Sequence, residues 1–242
     1  MSELSTHITI VLPTLNERDN IVPLIQRGLA ALDGYRTEML VVDDDSPDGT
    51  WRVVADLATR DRRVRLIRRI GQRGLTSAIA AGIAQAEGRW IGWMDCDLSM
   101  PPEDLPRLAA VLSDGADLAV GSRYVPGGRD IGHSWVGRAF SQTINLAAAS
   151  LLDGRIRDYT SGFILARRPV FDHIQLRGDY GEYCIDLLYR AVRAGYNVSE
   201  VPYHCLPRNT GQSKTAAHPA GYVTRGWNYV LTILRLRYAR SS

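Results

Sequence analysis

The stretch MLVVDDDSPDGT (Met39–Thr50) decides the fold: an apolar, partly β-branched run enters three aspartates and a Pro-Asp-Gly turn, and a helical pattern follows. A short apolar run closed by a turn signal reads as a buried strand, and the helix after it as the crossover to a parallel neighbour. Working outward, the same unit recurs. Strands are expected at Ile8–Leu12, Met39–Val42, Val64–Ile67, Trp90–Met94 and Leu118–Val120, with helices between them at Asn20–Leu32, Thr50–Thr59, Leu75–Ala86 and Glu103–Leu112. Gly34 stops the first helix and Pro101-Pro102 announces the fourth. The alternation predicts an α/β fold built on a doubly wound, mostly parallel sheet.

The second half is less regular. A glycine-rich connector at 125–128 leads to a helical segment over Trp135–Leu152, then a strand at Gly162–Ala166, a helix at Ile185–Ala194, a strand at Asn197–Val201 and a last helix near Tyr222–Tyr238. That last helix mixes Trp227, Tyr229 and aliphatic residues with Arg235 and Arg237, a pattern shared by interfacial helices and by helices packed on a sheet.

Composition narrows the classes. A chain of 242 residues, 45% hydrophobic, can bury the core of one domain. Its apolar stretches fall short of the ~20 residues that a membrane span requires, so no crossing of the bilayer is expected. The first residues carry neither a basic nor an apolar leader region, which predicts a cytoplasmic protein. Cys96, Cys184 and Cys205 form no C-x-x-C pair, arguing against a disulfide framework and a zinc site and for buried thiols. The five histidines show no metal-ligand spacing and read as surface or satisfied structural residues. Net charge is +3, with arginine clustered at 60–69, 123–138 and 235–240; such local fields suit phosphates or an anionic membrane face rather than duplex DNA, and no nucleic-acid partner is expected.

In open α/β sheets ligands bind beyond the carboxyl ends of the strands. Here those junctions are acidic: PTLNE (Pro13–Glu17), DDDSPDG (Asp43–Gly49) and DCD (Asp95–Asp97). If the backbone stays extended, Asp95 and Asp97 leave the same face, and carboxylates about 5 Å apart repel by roughly 3 kcal/mol at an effective dielectric near 20. A divalent cation with oxygen ligands, Mg²⁺ or Mn²⁺, offsets that repulsion. Asp97 capping the following turn is the alternative, as is an Asx-rich turn for Asp43–Asp45.

Taken in order, Pro13–Glu17, Val42–Thr50, Asp95–Asp97, GSRYVPGG (Gly121–Gly128) and RNTGQSK (Arg208–Lys214) resemble the dolichol-phosphate mannosyltransferases and their bacterial polyprenol-phosphate relatives, inverting transferases of the GT-A fold. The similarity covers nearly the whole chain. It implies one GT-A domain over 1–242, with a nucleotide-sugar half at about 1–122 and an acceptor and membrane-interface half at about 123–242. It places Pro13, Leu15, Glu17, Asp43 and Asp44 at the nucleoside, and Asp95 and Asp97 at the metal and diphosphate. Arg123, Arg138 and Ser141 would hold the acceptor phosphate, while Arg208, Ser213 and Lys214 would lie on a loop that closes over both substrates. Asp95, Asp97 and Arg208 are the implied catalytic residues. Two departures stand out: Ser99 where many members have Gln, and Cys96 between the acids, where a side chain pointing to the opposite strand face would be tolerated.

The implied partners are a nucleotide sugar (GDP-mannose favoured), a polyprenyl phosphate and a membrane surface, and the lack of a span leaves room for a membrane-anchoring partner subunit. A phosphate monoester, with a second pKa near 6, is already mostly dianionic at neutral pH and needs no general base. Polysaccharide-extending relatives place a Glu-Asp pair before a D-L-x-x-R stretch; ahead of Asp186–Arg190 this chain has Tyr183-Cys184, with Glu182 close by. The expected reaction is metal-assisted, inverting transfer of a hexose to a polyprenyl phosphate. A UDP-sugar donor such as UDP-glucose and a non-catalytic nucleotide-sugar-binding module are the competing readings.

Overall fold

The computed structural model describes residues 7–208 and 219–238. Strands β1 (His7–Thr14), β2 (Arg36–Asp43), β3 (Val64–Arg68), β4 (Trp90–Trp93) and β5 (Leu118–Ser122) alternate with helices α1 (Arg18–Ala31), α2 (Thr50–Arg60), α3 (Leu75–Gln85) and α4 (Leu105–Ser113). The remainder comprises β6 (Arg129–Asp130), α5 (Trp135–Leu151), β7 (Ile164–Arg167), α6 (Arg168–His173), α7 (Glu182–Arg193), β8 (Val198–Pro202), β9 (His204–Cys205) and α8 (Pro219–Tyr238). The main sheet runs β3-β2-β1-β4-β7-β5-β8, and β6 pairs with β9 in a separate ribbon.

Successive side chains of a strand point to opposite faces, and the core divides accordingly. Ile8, Ile10 and Leu12 of β1 pack against Leu24, Ile25 and Leu108 from α1 and α4. Val11 joins Ile79 of α3 together with residues of α5, α6 and α7 on the other face. There α3 lies so close to β1 that a Cβ on Gly82 would come within 2.3 Å of a Val11 methyl. Only a residue without a side chain permits that approach.

Strand β7 departs from the doubly wound rule. It is antiparallel to both neighbours, and Ile164, its first residue, pairs with Trp93, the last of β4. The chain leaves β5 at the carboxyl rim, forms β6 and α5, and enters β7 from that same rim. Without a crossover to the far edge, only the reverse direction is open. The ribbon β6–β9 and helix α6 were not expected, being too short to show periodicity.

Candidate active site

Three loops at the carboxyl rim each hold one non-glycine residue at positive φ: Asn16 at 58°, Asp45 at 55° and Leu98 at 64°. Such conformations are costly outside glycine and persist where the surroundings fix them. Asp43 does much of the fixing. Fully buried, its carboxylate accepts from the Thr14 hydroxyl (2.8 Å), the Ser46 amide (2.8 Å) and the Ser46 hydroxyl (2.6 Å). The Asn16 amide donates to Ser46 Oγ (3.0 Å) and the Glu17 amide to Thr50 Oγ1 (3.0 Å). The loops after β1 and β2 are thereby bound into one frame.

That frame walls a cavity of about 270 Å³ lined by Pro13, Leu15, Glu17, Asp44, Asp95, Cys96 and Asp97, with Gly74, Leu75 and Tyr180. Asp44 is buried against Arg69 (2.6 Å) and accepts the Gly74 amide (2.9 Å), so it also pins the entry to α3. Asp43 lines neither this cavity nor the next one.

Strand β4 ends at Trp93, before the acids, so Asp95 lies just past the strand and Asp97 in the turn that follows, not together on an extended face. Asp97 Oδ1 accepts the Ser99 amide (3.0 Å), the capping role weighed above, while its Oδ2 pairs with Arg208 (3.0 Å). Burial and the charge of Asp97 push the Asp95 carboxyl up to about 6, with Arg208 offsetting part of the rise. A pair of carboxylates held in this way fits a hard divalent cation with oxygen ligands, and Asp95 and Asp97 are the residues that would hold it. Cys96 has left the strand: its thiol donates to the Pro13 carbonyl (3.4 Å) and lines the cavity, where an opposite-facing side chain was expected.

On the other side of Asp95 and Asp97 lies a second cavity of about 410 Å³. Arg123, His133, Ser141, Thr160 and Arg208 give it a polar, cationic part, and Phe140, Ile144, Leu206 and Tyr229 an apolar one. Arg123 is buried and held in a fork by Asp158, through Nε (2.9 Å) and Nη2 (2.8 Å), and also donates to Thr160 Oγ1 (2.8 Å). That partnership raises its pKa further, against the effect of burial. Ser141 Oγ lies 3.0 Å from Thr160 Oγ1. Arg208 arrives because the Leu206 amide donates to the Ser99 carbonyl (2.8 Å), hooking the chain after β9 onto the turn that carries Asp97. Arg138 lines neither cavity; its guanidinium donates to the Asp130 carbonyl (3.3 Å). Ser213 and Lys214 lie outside the described residues.

Proton acceptors are scarce in this second cavity. Among the described residues, Asp95 and Asp97 are its only carboxylates. Burial holds the Cys184 thiol far above its usual range, so it is neutral at pH 7. Asp186 is consumed by Arg190 and Arg235 (3.0 Å), and Glu182 accepts the Asp179 amide (2.9 Å). Hydrogen bonds to Asp130 and Cys205 raise His133 to about 10, which leaves its ring protonated.

Residues 9–175 match glycosyl transferase family 2. The chain belongs to that family. The transferase is 40% identical over 212 residues to the polyprenol monophosphomannose synthase of Mycolicibacterium smegmatis, covering 85% of this chain and 79% of that one. It is 35% identical over 212 residues to the dolichol-phosphate mannosyltransferase of Pyrococcus furiosus, covering 86% of this chain and 58% of that one. Among solved structures, glucosyl-3-phosphoglycerate synthase from Mycobacterium tuberculosis, in complex with Mn²⁺, uridine diphosphate and phosphoglyceric acid, superimposes with a TM-score of 0.74. That match covers 98% of this chain and 81% of the other at 20% identity, and establishes the GT-A glycosyltransferase fold.

Several contributors escaped the sequence reading. Asp158, Asn145 and Thr160 hold Arg123 and Ser141 in place, and Tyr180 lines both cavities. The polar run Asp158–Ser161 directly before an apolar strand was the available signal for two of them.

Proposed function

We propose that the transferase moves mannose from GDP-mannose to the phosphate of a polyprenyl lipid, with inversion at the anomeric carbon. The observation that carries this reading is that two cavities share Asp95 and Asp97: one framed by the strand-end loops, the other cationic at one part and apolar at another. In the first, Pro13, Leu15, Glu17 and Asp44 would receive the nucleoside. In the second, Arg123, Ser141 and Arg208 would hold the acceptor phosphate while Phe140, Ile144 and Tyr229 take the start of the lipid chain. The scarcity of bases favours a nucleophile that needs none, and a phosphate dianion meets that condition. The named activities of the Mycolicibacterium and Pyrococcus relatives support mannose as the sugar and a polyprenyl phosphate as its acceptor.

Mg²⁺ or Mn²⁺ bound by Asp95 and Asp97 would supply Lewis-acid stabilisation for the departing diphosphate. The chain's own contribution is alignment. Asp158 fixes the Arg123 fork, which directs the acceptor phosphate toward the sugar and lowers the entropic part of the barrier. Arg208 brings a positive charge to the boundary between the cavities.

Uncovered apolar surface on α5 and α8 supports membrane contact. Trp135 (75% exposed) and Leu146 (70%) on α5, and Trp227 (62%) with Leu231 and Leu234 on α8, leave apolar surface uncovered. The two helices meet through Phe140 and Tyr229, whose rings lie 6.2 Å apart beside the second cavity. No helix among the described residues is long and apolar enough to cross a membrane. We infer peripheral attachment of one domain, donor half and acceptor half together, at the cytoplasmic face.

The deciding experiment incubates the protein with a panel of nucleotide sugars, a polyprenyl phosphate and Mg²⁺ or Mn²⁺, and weighs the lipid fraction by mass spectrometry. A hexosyl-phosphate lipid formed from GDP-mannose is expected. Product from UDP-glucose alone replaces the donor assignment, and no lipid product with any donor refutes the reaction.

A further inference from the structure

Asp130, His133 and Cys205 bring one carboxylate oxygen, one ring nitrogen and one sulfur within 4.8 Å of one another, in a set that does not include Asp95 or Asp97. His133 Nδ1 lies 2.9 Å from Asp130 Oδ1 and 3.9 Å from Cys205 Sγ. We propose that this trio is a second cation site, selective for a thiophilic divalent ion such as Zn²⁺.

The backbone prepares the trio. Asp130 and Cys205 are register partners in the β6–β9 ribbon, and the Ile131 and Gly132 amides both donate to the Cys205 carbonyl at 2.9 Å. Asp130 Oδ1 also accepts the His133 amide (3.1 Å), closing a turn that carries the imidazole back over the ribbon. The two segments approach so closely that a Cβ at Gly132 would lie 2.1 Å from the Leu206 carbonyl oxygen. Three ligand-bearing positions are thus placed by main-chain contacts, which lowers the ordering cost of coordination.

Ligand chemistry selects the ion. Thiolate and imidazole favour Zn²⁺ over Mg²⁺, whereas the Asp95 and Asp97 carboxylates favour the hard ions. The Asp130 side chain is 3% exposed and Cys205 is buried, while the His133 side chain is 53% exposed and gives a route of entry. Coordination displaces the thiol proton and the Nδ1 proton now shared with Asp130, leaving a thiolate and a neutral imidazole on the metal. Three protein ligands leave a fourth tetrahedral position to water or to an anion in the cavity that His133 and Cys205 line. A hydrogen-bonded His–Asp pair alone would not require a sulfur at its side. The ligands escaped detection by spacing because Cys205 stands far along the chain from the other two.

The test is a titration of the full-length, reduced protein with Co²⁺ in excess Mg²⁺, read as thiolate-to-cobalt charge transfer in the near ultraviolet. A saturable band is expected in the wild type, reversed by Zn²⁺, retained in Cys96→Ser and lost in Cys205→Ser. His133→Asn keeps the thiol and is expected to weaken Co²⁺ binding by about tenfold or more. No band in the wild type, or a band that survives Cys205→Ser, overturns the site. Should Cys205→Ser lose its native circular dichroism, His133→Asn decides, and unchanged affinity there overturns the proposal.

Discussion

The two cavities that meet at Asp95 and Asp97 are built in different ways. The smaller takes most of its wall from the end of β1 and the residues that follow β1, β2 and β4. The larger draws on β5, α5, the segment before β7, the start of α7, the chain after β9 and α8, and its central cation depends on Asp158, 35 residues away in sequence. The local wall is held by short hydrogen bonds between adjacent strand-end loops. A distributed wall depends on its internal ion pairs.

The sharpest attempt to break this contrast removes the hub of the distributed wall. Asp158→Ala removes the closer of the two buried carboxylates that face the Arg123 guanidinium, leaving only Asp130 at 3.5 Å, and is expected to cost about 3 kcal/mol in urea unfolding. A loss below about 1 kcal/mol would show that the second wall is no more interdependent than the first. Next in size, Asp97→Ala and Asp95→Ala are each expected to lower hexosyl-lipid formation on the order of a hundredfold with the fold intact by circular dichroism, since both walls share these acids. Wild-type rates in either variant would remove the junction from the chemistry.

A smaller effect separates charge from structure at that junction. The folded Asp95 carboxyl titrates near 6, above its unfolded value of 3.8. A raised carboxyl penalises the fold once it is ionised, so chelator-treated protein loses stability as pH rises from about 4 through 6. Asp95→Asn is therefore expected to raise the melting temperature at pH 7.5 and to leave it unchanged near pH 3.5. An equal gain at both values would assign the effect to packing. Smallest of all, Cys184→Ala is expected to hold activity within about twofold, because a neutral thiol takes up no proton in the reaction. A large drop would place a hydroxyl-type acceptor and its base at this position.

How far the sequence could be read follows the same division. The acids at the strand ends were legible because each stands next to the apolar run that positions it. Their individual duties were less so: Asp43 spends its carboxylate on Thr14 and Ser46, a choice that depends on two loops meeting in space. Arg123 could be picked out but its pairing with Asp158 could not: the polar run before β7 marks a candidate, and nothing local assigns it a partner 35 residues away. The direction of β7 was hidden too, because apolar periodicity marks burial and carries no sense of direction. The β6–β9 ribbon has two residues per strand, too few for any pattern to register.

Arg208 rests on Asp97 at the boundary of the two cavities. A divalent ion held by Asp97 would share its Oδ2 with the Arg208 guanidinium, which itself lines the neighbouring cavity. One side chain thus ties the charge balance of the donor compartment to that of the acceptor compartment.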